Sequence, residues 1–394
     1  MNDGMLVPRR PERFLALDGL RGMAALVVVC FHFGSGFLPR LIPDQTDHPY
    51  WLAFTPVGIL YNGPFAVSIF FVLSGFVLYQ AASASQTPLY VQLILRYLRL
   101  ALPATASVLF AWALLKWIPN AASQVNALSP HAWTEPRSVY QGQIPGLTQA
   151  LYDGSVGIFR EGSSLFNNVL WTMQVEAVGS IAIYLFCSMP NYGRWRMIFG
   201  VALGMAAIAF PMYLGFALGA ALSELLIRGR LKRIFPVGAL IVGILLGFPG
   251  KGFAAMIGLP QVRRRFTIGA TGGYFPAMAA ALILYALLLS PSLNRAFSQR
   301  VLRFFGAISF PLYLLHVPLL YTLIASAYLW MLPGSRFSLV CLLLGFLVLS
   351  LACAVAGEVW VDRPTLRLLK RLKQWLSHTG SRSGSKMRDI PDNS

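Results

Sequence analysis

The chain reads as an all-α integral membrane protein, a single bundle of about ten transmembrane helices with both termini cytoplasmic. Three observations carry that reading. Hydrophobic residues fill 56% of its 394 positions and charged ones only 12%, about half the share of an average soluble domain. The mean hydropathy is +0.62. The apolar residues also gather into stretches at about 15–37, 65–82, 100–118, 166–189, 197–210, 211–227, 236–249, 267–289, 305–330 and 338–361. A helix rising ~1.5 Å per residue crosses a ~30 Å hydrocarbon core in about 20 residues. The fifth to seventh stretches are short for that, and irregular or re-entrant helices are the alternative there.

Basic residues set the orientation, because cytoplasmic loops are enriched in Lys and Arg. With both termini inside, most of the 32 basic residues fall on the cytoplasmic side. Arg263, Arg264 and Arg265 do not. Either the seventh and eighth spans are misplaced, or an outer loop is basic to meet an anionic substrate. The net charge of +18 requires no nucleic acid. It sits mainly in collars at 228–233 and 363–373, placed to meet anionic headgroups of membrane lipids.

The first span, FLALDGLRGMAALVVVCFHF, builds an acid, a base and a histidine into a membrane helix, where ionisable groups are costly without a role or a partner. At 100° per residue, Arg21 and His32 lie about 20° apart around the helix and Asp18 within roughly 60° of them. The rise puts His32 about 16 Å beyond Arg21 along the axis. One stripe therefore carries a cation near one membrane face and an imidazole, which titrates near neutrality, toward the other. The basic lead ahead of this span is not followed by a small-residue cleavage site, so the helix is expected to be retained.

In the second span, FFVLSGFVL sets Ser74 and Gly75 among aromatics. The pair suits close helix packing or the lining of a site. Arg96 and Arg99 then share a helix face ahead of Pro103. They are either interfacial anchors or a two-pronged phosphate clamp, since the guanidinium fork matches phosphate oxygens. With Arg21 they would make three guanidiniums at one level, which suits a polyanionic ligand such as coenzyme A or a nucleotide.

The segment 119–165, with Pro119, Pro130, Pro136, Gly142, Pro145 and Gly146, is expected to be the longest non-membrane loop, lying outside. The fourth span opens LWTMQVEAV and places Trp171 at its start and Glu176 near mid-membrane. Such a carboxylate must be protonated or paired, with His32, His316 or Arg21 as candidate partners. His316 lies in SFPLYLLHVP, where Pro311 and Pro318 free backbone carbonyls that need polar company. Asp362, beside Arg363, is expected in a surface ion pair at the inner end of the last span. Cys30, Cys187, Cys341 and Cys353 fall in apolar spans without metal-ligand spacing, so neither a disulfide nor a metal site is expected. Residues 1–375 form one membrane domain, and the polar stretch 376–394 a disordered cytoplasmic tail.

Taken together, LDGLRGMAALVVVCFHF, FFVLSGFVL, RYLRLALP, LWTMQVEAV, SFPLYLLHVP and VDRP resemble, in order and over about residues 13–370, the acyltransferase-3 family of multi-pass membrane acyltransferases. The departures are small. Pro103 stands one position later than usual after the arginine pair, Ala177 replaces a frequent second acid, and Asp362 stands where Glu is commoner. The resemblance implies a ten-helix bundle in a bacterial cytoplasmic (inner) membrane. It would carry an acyl group, most often acetyl, from cytoplasmic acyl-CoA as co-substrate to a hydroxyl of a carbohydrate or glycolipid. It implies no permanently bound cofactor, no metal and no appended esterase-like domain.

On that reading Arg21, Arg96 and Arg99 hold the donor phosphates, and His32 is general base or transient acyl carrier. Asp18 orients Arg21, while Glu176 polarises or pairs with a histidine. Ser74, Gly75, Trp171 and His316 line the site. The other class that fits Pro-broken helices and intramembrane charge is a transporter or flippase for an anionic lipid or sugar intermediate, against which stands the absence of a visible internal repeat.

Overall fold

A computed structural model describes residues 10–42, 50–128, 143–190, 193–248, 273–331 and 336–386. Arg263, Arg264, Arg265 and residues 387–394 lie outside these. Every regular element among the described residues is helical. In chain order these are α1 (Arg10–Phe37), α2 (Gly63–Ser83), α3 (Leu89–Trp117), α4 (Ala121–Leu128), α5 (147–161) and α6 (Trp171–Ser188). There follow α7 (Arg194–Ala209), α8 (Pro211–Ile227), α9 (Pro236–Leu246), α10 (Tyr274–Leu289), α11 (Pro291–Phe297), α12 (Arg300–Met331) and α13 (336–386).

Six of these helical stretches are long and apolar enough to cross a membrane, and a seventh if α10 and α11, bent by 103°, count as one. Among the described residues each of the ten apolar stretches contains a helix, but α7, α8 and α9, of 16, 17 and 11 residues, are short of a full crossing at ~1.5 Å per residue. Helix α13 continues to Lys386, into the stretch expected to be a disordered tail.

Small residues set how the helices meet. A Cβ on Gly19 would strike the carbonyl of Phe297, and one on Gly22 the backbone of Gly306. Gly306 in turn touches the backbone of Asp18. Helices α1 and α12 thus run parallel at backbone contact, as small residues allow in a membrane. Gly75 belongs to a second such seam, against the backbone of Phe216 on α8, which Gly219 completes against Val72. Its place is helix packing.

The expectation of a loop over 119–165 needs correction for its described residues, from which 129–142 are excluded. Lys116 donates to the Ile144 carbonyl and Trp112 to that of Pro145. Farther along, Gly154 abuts Thr105 and Val108, and Tyr97 meets Ser155 and Phe159. Helix α5 therefore runs antiparallel along most of α3, ends at left-handed Gly162, and the chain doubles back before α6 begins. Its Asp153, Gly154, Ser155 and Gly157 disguise it as a loop; a π-helical turn over those residues lets Asp153 face inward, where it is 2% exposed.

Candidate active site

A cavity of about 310 Å³ opens between α1, α2, α3, α6 and α12, and Asp18, Arg21, Ser74, Arg96, Arg99 and Glu176 all line it. Six residues singled out from the sequence thus share one chamber. Each guanidinium meets a carboxylate. Arg21 donates to Asp18 at 2.7 Å and to the Gly306 carbonyl at 3.5 Å, so the acid does orient the base. Arg96 donates to Glu176 at 2.5 Å and through Nε to Ser180 at 2.8 Å. Arg99 makes a two-pronged pair with Asp362 and lies over the Phe310 ring, 5.0 Å from its centroid.

Two expectations change here. Glu176 pairs with no histidine; its partners are Arg96 and Ser74, whose hydroxyl donates to it at 2.7 Å. The cause is register, because α6 runs antiparallel to α3 and brings positions 176 and 180 level with 96. Asp362 is no surface acid. It is 5% exposed at the end of a π-helical turn in α13 that aims it at Arg99. Arg363, its expected partner, bonds Glu358 instead at 3.1 Å. Paired this way, each carboxylate offsets part of the cost of holding a guanidinium below the membrane surface.

The far end of the cavity is closed by Phe70, Thr172 and Tyr313. The Tyr313 hydroxyl donates to the Val169 carbonyl at 3.0 Å and lies 3.1 Å from the Thr172 hydroxyl. Sequence reasoning passed over Tyr313, although its spacing of three from His316 puts both on one helix face. Trp171 stands behind the wall, edge-on to Phe71.

Beyond Tyr313 lies a second tier. His32 and His316, both buried, are 3.0 Å apart, Nδ1 of the first facing Nε2 of the second. The carbonyl contacts assign their tautomers, since a carbonyl can only accept. His316 Nδ1 must donate to Leu312 at 2.9 Å, so in the neutral ring its Nε2 accepts. His32 Nδ1 therefore carries the proton, shared between Val28 at 2.9 Å and His316. The basic lone pair of His32 is then on Nε2. Neither histidine lines the first chamber. Among the described residues, no three His, Cys, Asp or Glu side chains are grouped to hold a metal.

A second cavity, about 300 Å³ and almost wholly apolar, lies between α3, α12 and α13, with Ser107, Pro311, Leu314 and Trp360 in its wall and Asp362 at one end.

A model described as an acyltransferase domain matches residues 14–358. The chain is 26% identical over 371 residues to O-acetyltransferase PaAT-1 of Phomopsis amygdali, an alignment covering 78% of this chain and 72% of that protein. No solved structure matches. The domain match takes in every helix lining the first cavity, and it places this chain in the acyltransferase-3 family of membrane acyltransferases.

Proposed function

We propose that the protein is a membrane O-acetyltransferase that takes acetyl from cytoplasmic acetyl-CoA and gives it to a hydroxyl of a cell-surface or lipid-linked carbohydrate. The observation that carries the reading is the order of the two tiers along α1: guanidiniums in an open cavity, then a hydrogen-bonded histidine pair beyond it. In this reading the bundle has ten spans in a bacterial cytoplasmic membrane, and the cavity mouth faces the cytoplasm, as the basic collars favour.

Arg21, Arg96 and Arg99 hold the donor phosphates. Arg21, the most exposed of the three, meets them first, and the other two keep donor N–H groups beyond those committed to carboxylates. The pantetheine arm runs past Tyr313, a path on the order of the ~16 Å that separates Arg21 from His32. His32 Nε2 takes the proton of the acceptor hydroxyl as its oxygen attacks the thioester carbonyl. The C–S bond breaks, and the departing thiolate takes the proton back from the imidazolium. His316 orients the His32 ring.

Sealed membrane vesicles test the geometry. Acetyl-CoA added outside should support acetylation of membrane carbohydrate in inverted vesicles and not in right-side-out ones. The reverse result would refute both the orientation and the role of the arginines.

A further inference from the structure

Pro318 has no N–H, so the carbonyl one turn back, that of Leu314, loses its helical donor. That carbonyl is two residues from His316 and is buried, where an unmade hydrogen bond is costly. Two side chains from elsewhere in the chain supply the missing donors. Ser107 of α3 gives its hydroxyl at 2.8 Å, and Asn167, in the turn between α5 and α6, gives its amide at 2.7 Å. The Asn167 amide spends its other hydrogen on Ser107 at 2.8 Å. Its orientation is forced, because only nitrogen can donate to a carbonyl. Asn167 Oδ1 is left buried with no partner among the described residues, so the side chain is held for what it donates.

The turn is itself fastened. Ser164 donates to Asp153 at 2.5 Å and accepts from the backbone N–H groups of Phe166 and Asn167 at 3.1 and 3.0 Å. The Leu165 N–H also reaches Asp153, at 3.3 Å. The doubling-back of α5 thus ends in an amide aimed at one carbonyl of α12.

We infer that Asn167 and Ser107 are positioning residues: they close the gap that Pro318 opens in α12 and so fix His316, and through it the His32 ring, in working orientation. The inference rests on the proposed role of His32, but its test does not depend on it.

Restoring the lost N–H offers a specific rescue. In the full-length protein in detergent, Ser107→Ala/Asn167→Ala is compared with the same pair carrying Pro318→Ala, whose new N–H can bond Leu314. Amide exchange over residues 314–320 should rise at least tenfold in the pair and return to near the parent rate with Pro318→Ala. CoA release from acetyl-CoA should show kcat falling at least tenfold in the pair with KM within twofold, and most of the loss recovered in the triple variant. If the pair folds only with Pro318→Ala present, the inference stands. Unchanged exchange in the pair, a KM effect in place of a kcat effect, no recovery with Pro318→Ala, or failure to fold in both backgrounds would overturn it. If the parent protein releases no CoA, the proposed function fails and the exchange rates alone decide the bracket.

Discussion

Each guanidinium that lines the chamber meets a carboxylate, Arg21 with Asp18, Arg96 with Glu176 and Arg99 with Asp362, the last acid lying outside the chamber wall. Past Tyr313, His32 and His316 lean instead on each other and on the carbonyls of Val28 and Leu312. The first arrangement spreads the desolvation of each charge over a matched partner. The second holds two imidazoles whose ring tautomers are set by those carbonyl contacts. On the proposed function, one bundle separates the task of holding an anion from the task of moving a proton.

The sharpest way to break that division is His32→Gln, which keeps a hydrogen-bonding side chain and removes the base. Acetyl transfer should fall by roughly 10²- to 10⁴-fold with the thermal midpoint little changed. Activity near the parent level would end the assignment.

Removing one partner of a buried ion pair should cost stability. Glu176→Ala strands Arg96 and should destabilise the protein by about 3–5 kcal/mol. Adding Arg96→Met should regain much of that in thermal unfolding, although the double variant stays poor at binding donor. If the second substitution regains nothing, Glu176 does not serve chiefly to neutralise Arg96.

Smaller effects grade the fork geometry. Arg96→Lys and Arg99→Lys retain charge and lose bidentate contact, so KM for acetyl-CoA should rise roughly tenfold in each. Unchanged KM in both would return them to the role of interfacial anchors. Tyr313→Phe loses one neutral hydrogen bond to Val169, worth about 1 kcal/mol net, and should alter kcat only severalfold.

Much of this was legible because the relevant features are periodic or local. Each of the ten apolar stretches contains a helix among the described residues, the α1 stripe gave Asp18 with Arg21, and six of the ten named site residues line one cavity. What stayed hidden depends on pairing between helices. Nothing local in LWTMQVEAV says that Glu176 faces Arg96, 80 positions away, or that Asp362 reaches Arg99, 263 away. Asp362 also turns inward through a π-helical turn, which shifts the face a residue occupies and defeats a 100° projection. Helix α5 was lost because Asp153, Gly154, Ser155 and Gly157 carry turn chemistry into a helix buried against α3. Ser74 and Gly75, adjacent in sequence, point to different neighbours, one to Glu176 and the other to α8.

The backbone contact between Gly22 and Gly306 works as a ruler for the histidines. His32 and His316 are 284 positions apart, the same offset that separates Gly22 from Gly306, so the two parallel helices advance together from one contact to the other. A single residue inserted between 22 and 32 would turn His32 by about 100° and lift it ~1.5 Å while His316 stayed in place. The matching insertion between 306 and 316 would bring the rings level again along the axis but turn each by about 100° off the face on which the two helices meet. Length in these two segments is therefore constrained twice, once by partner and once by facing.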